Sequence, residues 1–225
     1  MKTRRVTDQI TQLTRMHFVN AFLVREEDGL TLVDTTMGGA ADSLVAAANA
    51  AGAPIRRIAL THGHGDHVGS LDALRERFGA EVEVLMPELD ARILAGEQPD
   101  GKLPGSWPTV TTIPDVRLAA GDRVGSLEVI PTPGHSPGHI SYLDTRDRSL
   151  IVGDVFTAYG GVQVTSHFHL RFPFAAMATW DKERDVQSAR ELAALSPSLL
   201  LVGHGPATSD PRAAIDRAIR SAERG

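Results

Sequence analysis

The chain has 225 residues, of which 42% are hydrophobic and 23% charged, and its 23 Lys+Arg against 28 Asp+Glu give a formal net charge of −5. That composition is globular, and with no block of lysines or arginines it weighs against nucleic acid or an anionic membrane as partner. Cysteine is absent, so disulfides, thiolate metal sites and thiol nucleophiles are excluded, and any transition metal must be held by nitrogen and oxygen, which favours zinc, manganese or iron.

The basic start Met1-Lys2-Thr3-Arg4-Arg5 runs into Val6-Thr7-Asp8-Gln9-Ile10 without an apolar segment or a small-residue cleavage site, so a cytoplasmic protein is expected. No apolar run approaches the roughly 20 residues of a membrane helix. Leu30-Thr31-Leu32-Val33 reads as a buried strand ending at Asp34, and a helix is expected over about residues 39 to 51, stopped by Gly52 and Pro54. Ile58-Ala59-Leu60 is a second strand and leads into Thr61-His62-Gly63-His64-Gly65-Asp66-His67. Val68, Leu71, Leu74 and Phe78 then form an apolar stripe with Asp72, Arg75, Glu76 and Arg77 outside it. This helix is expected to start directly after the cluster, its positive N-terminal end facing Asp66 and keeping the imidazoles neutral. Another helix is expected near 87 to 96.

Residues 97 to 125 are interrupted by Pro99, Gly101, Pro104, Gly105, Pro108, Pro114, Gly121 and Gly125 and read as a loop. It carries Trp107, either lining a substrate pocket or anchoring the loop on the core. Strands follow at Val129-Ile130 before His135, Leu150-Ile151-Val152 before Asp154 and Leu199-Leu200-Leu201-Val202 before His204, with helices near 175 to 195 and 209 to 223. No repeat or linker interrupts the chain, so residues 1–225 are expected to form one domain.

The segment from His62 to His67 packs three imidazoles and a carboxylate into six residues, which is metal-ligand chemistry; a histidine-rich turn that binds nothing is the bland alternative. Gly63 and Gly65 are expected to supply sharp or left-handed backbone that aims the four side chains inward. Five apolar runs, each followed by a possible ligand, suggest strands whose ends converge on one edge.

With the cluster, the segment Thr132-Pro133-Gly134-His135-Ser136-Pro137-Gly138-His139 and the pieces Gly153-Asp154 and Gly203-His204-Gly205, in that order, the chain resembles the metallo-β-lactamase-fold hydrolase superfamily. Its motif set is closest to lactonase and hydroxyacylglutathione-hydrolase-like members. The resemblance covers nearly the whole chain, including the strand Asn20-Ala21-Phe22-Leu23-Val24 and the strand end Leu32-Val33-Asp34. It implies an α/β fold, a four-layer αββα sandwich, with a dinuclear centre along one edge. It also implies that His62, His64 and His135 hold one ion, that Asp66, His67 and His204 hold the other, and that Asp154 bridges them. The implied cofactor is two divalent ions, zinc first, with manganese or iron as alternatives.

The implied chemistry is attack of a metal-bridging hydroxide on a carbonyl, with Asp66 as ligand and orienter or proton acceptor. Tyr159, five residues after Asp154, is either a donor to a developing oxyanion or a buried core tyrosine. Asp34 resembles the family's aspartate behind the ligands, against a plain turn aspartate. His139 matches a structural position, and His17 is expected in a strand or on the surface. His167 and His169 are candidates for a pocket wall, an extra metal site or ordinary packing. Thr35-Thr36 stand where many relatives place a glycine soon after the aspartate, and Gly69-Ser70 where a Gly-Gly pair is frequent, which puts local loop conformation in question.

The scaffold hosts many reactions, and elimination narrows them. One branch of true β-lactamases needs a cysteine, secreted ones need an export signal, and hydroxyacylglutathione hydrolases add a basic C-terminal helical extension, whereas this chain ends soon after His204. Hydrolysis of a small ester, lactone or thioester is therefore expected, a lactone first. The alternatives are β-lactamase-type amide hydrolysis, a mononuclear iron persulfide dioxygenase, or an idle metal-binding protein. The expected partner is a small, partly hydrophobic substrate facing Tyr159, Phe168, Phe172 and Phe174.

Overall fold

Leucine- and valine-rich runs build two main sheets, each in its own compact unit. The computed structural model describes residues 1–99 and 101–224. One unit comprises Met1–Glu97 with Ser106–Leu118, and the other Gln98–Gly105 with Ala119–Gly225.

The first unit holds seven strands in sequential order, β1 (Lys2–Arg5), β2 (Ile10–Arg15), β3 (Val19–Glu26), β4 (Gly29–Val33), β5 (Ile55–Ala59), β6 (Glu83–Pro87) and β7 (Val116–Leu118). Pairing is antiparallel from β1 to β4 and parallel from β4 to β7. All five residues of β4 are buried, so this strand lacks the alternation of a half-exposed one, as a central strand should. Its helices are α1 (Ala41–Ala50), α2 (Gly65–Val68), α3 (Leu71–Phe78) and α4 (Glu88–Leu94). Leu44, Leu71 and Leu74 of these helices join Leu32, Ile58 and Val84 of the strands in one core.

The second unit has β8 (Arg123–Val124), β9 (Leu127–Pro131), β10 (Ile140–Asp144), β11 (Ser149–Ile151), the hairpin strands β12 (Phe156–Thr157) and β13 (Gln163–Val164), β14 (Leu199–Leu201) and β15 (Thr208–Ser209). Its main sheet runs β15-β14-β11-β10-β9-β8, and only the β11–β14 pair is parallel. The helices are α5 (Pro173–Ala178), α6 (Lys182–Ala194) and α7 (Arg212–Ala222). Ala189 and Leu192 of α6 and Ile215, Ala218 and Ile219 of α7 pack with Leu150, Val152, Leu200 and Val202.

Three expectations are corrected. The helix near 175 to 195 is two helices, because Thr179 takes an extended backbone and Asp181 restarts the chain as an N-cap, its side chain accepting from the Arg184 N–H at 3.0 Å. The helix after the histidine cluster begins inside it: α2 is one turn containing Asp66 and His67, and Gly69 and Ser70 separate it from α3. One turn carries little aligned dipole, so the expected effect of a helix N-terminus on the imidazoles is weak. The 97 to 125 segment contains β7 and β8, strands too short to register against the surrounding prolines and glycines. No helix among the described residues is long and apolar enough to cross a membrane.

Candidate metal centre

All the candidate ligands follow strand ends, and the parallel pairings decide which become neighbours. In the first unit, β4 and β5 lie parallel with Val33 opposite Ala59, so the residues just beyond them meet. The buried Asp34 accepts from the Thr61 backbone N–H at 2.8 Å and from the Thr61 hydroxyl, and its Oδ2 accepts from His67 Nδ1 at 2.8 Å. A carboxylate on Nδ1 fixes the proton there, so the His67 lone pair for a metal lies on Nε2. This contact orients the imidazole and fixes its tautomer. Asp34 takes a positive φ of 62°, a conformation tolerated by aspartate. It is therefore more than a turn residue.

The His62 ring centroid is 4.8 Å from that of His64 and 4.1 Å from that of His67. Ligand atoms of His62 lie within 4.8 Å of those of His64 and His67, and those of Asp66 within 4.8 Å of those of His67. The three histidines are buried and Asp66 is half-buried. Thr61 Oγ1 lies 3.0 Å from His62 Nδ1, again directing Nε2 outward.

The glycines of the cluster have a different reason from the one expected, since neither Gly63 nor Gly65 has a positive φ. They permit close approach. A Cβ on Gly63 would stand 2.5 Å from Trp107 Cζ3, and the Trp107 ring packs edge-on to His64 at 5.0 Å. Trp107 thus anchors its loop against a candidate ligand, helped by the Gly65 N–H donating to Ser106 O at 2.8 Å. The buried carboxylate of Asp90 on α4 accepts from Gly63 N–H at 2.8 Å. The departures from the family pattern also find a structural account: Thr36 takes a positive φ of 55° itself, and Ser70 Oγ donates to Met37 O while accepting from Ala40 N–H.

In the second unit, β11 and β14 pair with Ile151 opposite Leu201, and Asp154 and His204 each stand three residues further on. The ladder continues past the strands through Val152 N–H to Leu201 O and Gly203 N–H to Gly153 O at 2.7 Å. Asp154 Oδ2 consequently lies 3.0 Å from His204 Nε2, and 3.5 Å from His135 Nε2. All three side chains are buried. His139 is structural as expected: the Asp154 N–H donates to its Nε2 at 3.0 Å and its Nδ1 faces Thr132 Oγ1 at 2.9 Å. That arrangement requires a neutral ring protonated on Nδ1.

His135 sits on a tight loop whose carbonyls are taken by the region around the start of α6. Pro133 O accepts from the Ser188 hydroxyl, Gly134 O from Asp181 N–H and His135 O from Trp180 N–H, while Thr179 Oγ1 lies 3.2 Å from His135 Nδ1. Gly134, at φ 145°, presses so closely on α6 that a Cβ would stand 2.3 Å from Asp185 N. Asp185 is fully buried, accepts from Ser166 N–H at 2.9 Å, and has its carboxyl pushed up to about 7 by burial, with the nearby charge of Asp154 adding to the rise. Thr61, Asp90, Thr179 and Asp185 carry no motif.

Tyr159 is half-buried, and burial pushes its phenol above the ordinary value. Its ring lies 5.3 Å from Phe172, which lies 4.9 Å from His204. His17 occupies an exposed turn between β2 and β3. His167 Nε2 lies 3.5 Å from Ser221 Oγ, and among the described residues neither it nor His169 belongs to a group able to hold a metal.

The donor set is imidazole nitrogen and carboxylate oxygen throughout, and it fits a divalent transition ion. The model of the Metallo-beta-lactamase superfamily matches residues 14–204. The chain belongs to that superfamily. Among its relatives, the uncharacterized protein YobT of Bacillus subtilis (strain 168) is 41% identical over 224 residues, 96% of each chain. The probable metallo-hydrolase YybB of the same organism is 30% identical over 192 residues, 83% of this chain and 80% of its own. The solved metallo-beta-lactamase from Pontibacter korlensis superposes with a TM-score of 0.74 over 100% of this chain and 99% of that one at 19% identity, so the metallo-β-lactamase fold expected from the motifs is the fold of this chain. Superfamily membership and the His/Asp donor sets together support a metal-dependent hydrolase.

Proposed function

We propose that the protein is a dinuclear hydrolase of a small ester, lactone or thioester, with residues 1–225 acting as one domain. His62, His64 and His135 would hold one ion and Asp66, His67 and His204 the other, with Asp154 shared. The observation that carries this reading is the position of Asp154 Oδ2, 3.0 Å from one imidazole nitrogen and 3.5 Å from another, as a shared carboxylate ligand requires. When bound, two divalent ions supply an acidified water and Lewis acidity toward a carbonyl oxygen. The residues of the chain do the rest. Asp34 holds His67 in one tautomer, and α6 holds His135 in place through the 133–135 carbonyls. Half-buried Asp66 would take up a proton, and Tyr159, its phenol pushed above the ordinary value by burial, would donate to a developing oxyanion. Phe172 against Tyr159 and His204 offers an apolar wall, which suits a partly hydrophobic acyl group and a lactone as the first substrate to try.

The test is elemental analysis of protein purified without added metal, together with an ester, lactone, thioester and lactam panel. Two ions per chain with turnover of an ester, lactone or thioester are expected. About one iron per chain with oxygen consumption on a persulfide would replace the hydrolase with an oxygenase, and a fully loaded protein inert toward the panel would refute catalysis of this class.

A further inference from the structure

The hairpin turn that carries Tyr159 has a second face. Behind it a cavity of about 410 Å³ is lined by Gly160, Gly161, Ser221 and the arginines Arg217, Arg220 and Arg224 among others. The arginines recur three and four residues apart on α7 and its C-terminal extension, a spacing that puts them on one helix face. Among the described residues no aspartate or glutamate lines the cavity, although carboxylates outnumber cationic side chains in the whole chain by 28 to 23.

Elsewhere several arginines pair with carboxylates: Arg57 with Asp28, Arg77 with Asp42, Arg92 with Glu97 and Arg190 with Glu223. Among the described residues, Arg217, Arg220 and Arg224 make no ion pair or side-chain hydrogen bond. One basic residue in the last turn of α7 complements the negative end of the helix; three guanidiniums exceed that need. Across from them, Gly160 and Gly161 expose main chain at φ 76° and 115°, and a Cβ on Gly161 would meet nothing within 4 Å. Arg171 adds a further cation beside the same turn, its side chain covering Gly160.

From this we infer that the cavity is an anion site for the phosphate group of a phosphorylated small molecule. Several planar guanidiniums around one concavity match the multiple acceptor oxygens of a phosphate dianion better than a lone carboxylate, and the volume falls within the roughly 300 to 1,000 Å³ of small-molecule pockets. Because the Gly160–Gly161 turn follows Tyr159 directly, an occupant also restrains the segment that carries this tyrosine.

Calorimetric titration of the metal-loaded full chain with inorganic phosphate, glycerol phosphate, sulfate and acetate tests the site without any turnover assay. Glycerol phosphate is expected to bind with a dissociation constant below roughly 1 mM, acetate far more weakly. Arg220→Gln with Arg224→Gln should weaken binding at least about tenfold while leaving the melting temperature unchanged. Amide hydrogen exchange at 160 and 161 should slow on binding. Since phosphate also ligates metal ions, Asp154→Asn provides the control: unchanged affinity keeps the ligand at the arginines, whereas loss of binding there moves it to the metal centre and overturns the site. Binding of inorganic phosphate alone, without the monoester, overturns the phosphorylated occupant, and equal affinity in the double arginine variant overturns the site itself.

Discussion

Asp185 offers a quantitative test of how α6 is packed. Burial raises its carboxyl from 3.8 to about 7, so the folded chain retains a proton that the unfolded chain gives up near pH 4. Between those values the native state binds more protons, and stability falls as pH rises, by about 1.4 kcal/mol per pH unit; above about 7 the loss is complete and constant. From pH 5 to 8 this amounts to about 3 kcal/mol, undiminished by solvent because the side chain is fully buried. Asp185→Asn mimics the protonated acid, retaining an oxygen for the Ser166 N–H and no titration. Thermal melts of both metal-free proteins at pH 5, 6, 7 and 8 isolate the effect, since other titrating groups cancel in the difference. The variant should gain on the wild type by about 6 to 12 °C across that range, at roughly 2–4 °C per kcal/mol for a chain of this size. A difference that stays flat, or narrows with pH, would show that this carboxyl is ionised in the fold and that the packing of α6 on the 133–135 loop has been misjudged.

Three further outcomes follow from the contacts around the donors. Asp34→Asn replaces an acceptor of the His67 Nδ1–H and of two Thr61 donors with an amide that satisfies them only in part, so metal affinity should drop about 10- to 100-fold; a chelator competition showing less than twofold change would deny Asp34 its positioning role. Gly63→Ala drives a methyl into Trp107 and should destabilise the fold by about 1–3 kcal/mol, with most of that recovered when Trp107→Leu is added; denaturant curves that leave the two substitutions additive would place the clash elsewhere. Tyr159→Phe should lower kcat by about 10²-fold or more with KM little changed, if the phenol serves the oxyanion, and steady-state rates within threefold of wild type would reduce it to a packing residue.

The ligand-type residues were legible because their chemistry is local: His62, His64, Asp66 and His67 lie in one stretch, and Asp154 and His204 each follow a strand that reads as apolar. What supports them was legible only through the family resemblance, as at Asp34 and His139, or not at all, because it depends on contacts between segments remote in sequence. Asp34 reaches His67 across 33 positions, and Asp90 reaches Gly63 across 27. An aspartate inside a helical pattern, such as Asp185, looks like an ordinary exposed residue until Gly134 is found against its backbone. The glycines were noticed for the wrong reason for the same cause: a local view offers turn conformation as their use, while the neighbour that forbids a Cβ, Trp107, is 44 residues away in a segment that reads as loop.

This division between donors and supports decides how substitutions should behave. Asp154 and His204 project from backbone that stays paired beyond β11 and β14, through Val152 to Leu201 and Gly203 to Gly153. None of those bonds involves the two side chains, so removing either one takes away a candidate metal ligand while leaving the ladder intact. Gly134 differs, because the 133–135 loop has no strand partner and relies on Trp180, Asp181 and Ser188 for its carbonyls. A methyl at 134 must push α6 away, and the three carbonyl bonds and the placement of His135 are lost together. Damage there therefore belongs to folding and metal binding at once, whereas damage at Asp154 or His204 is confined to the metal.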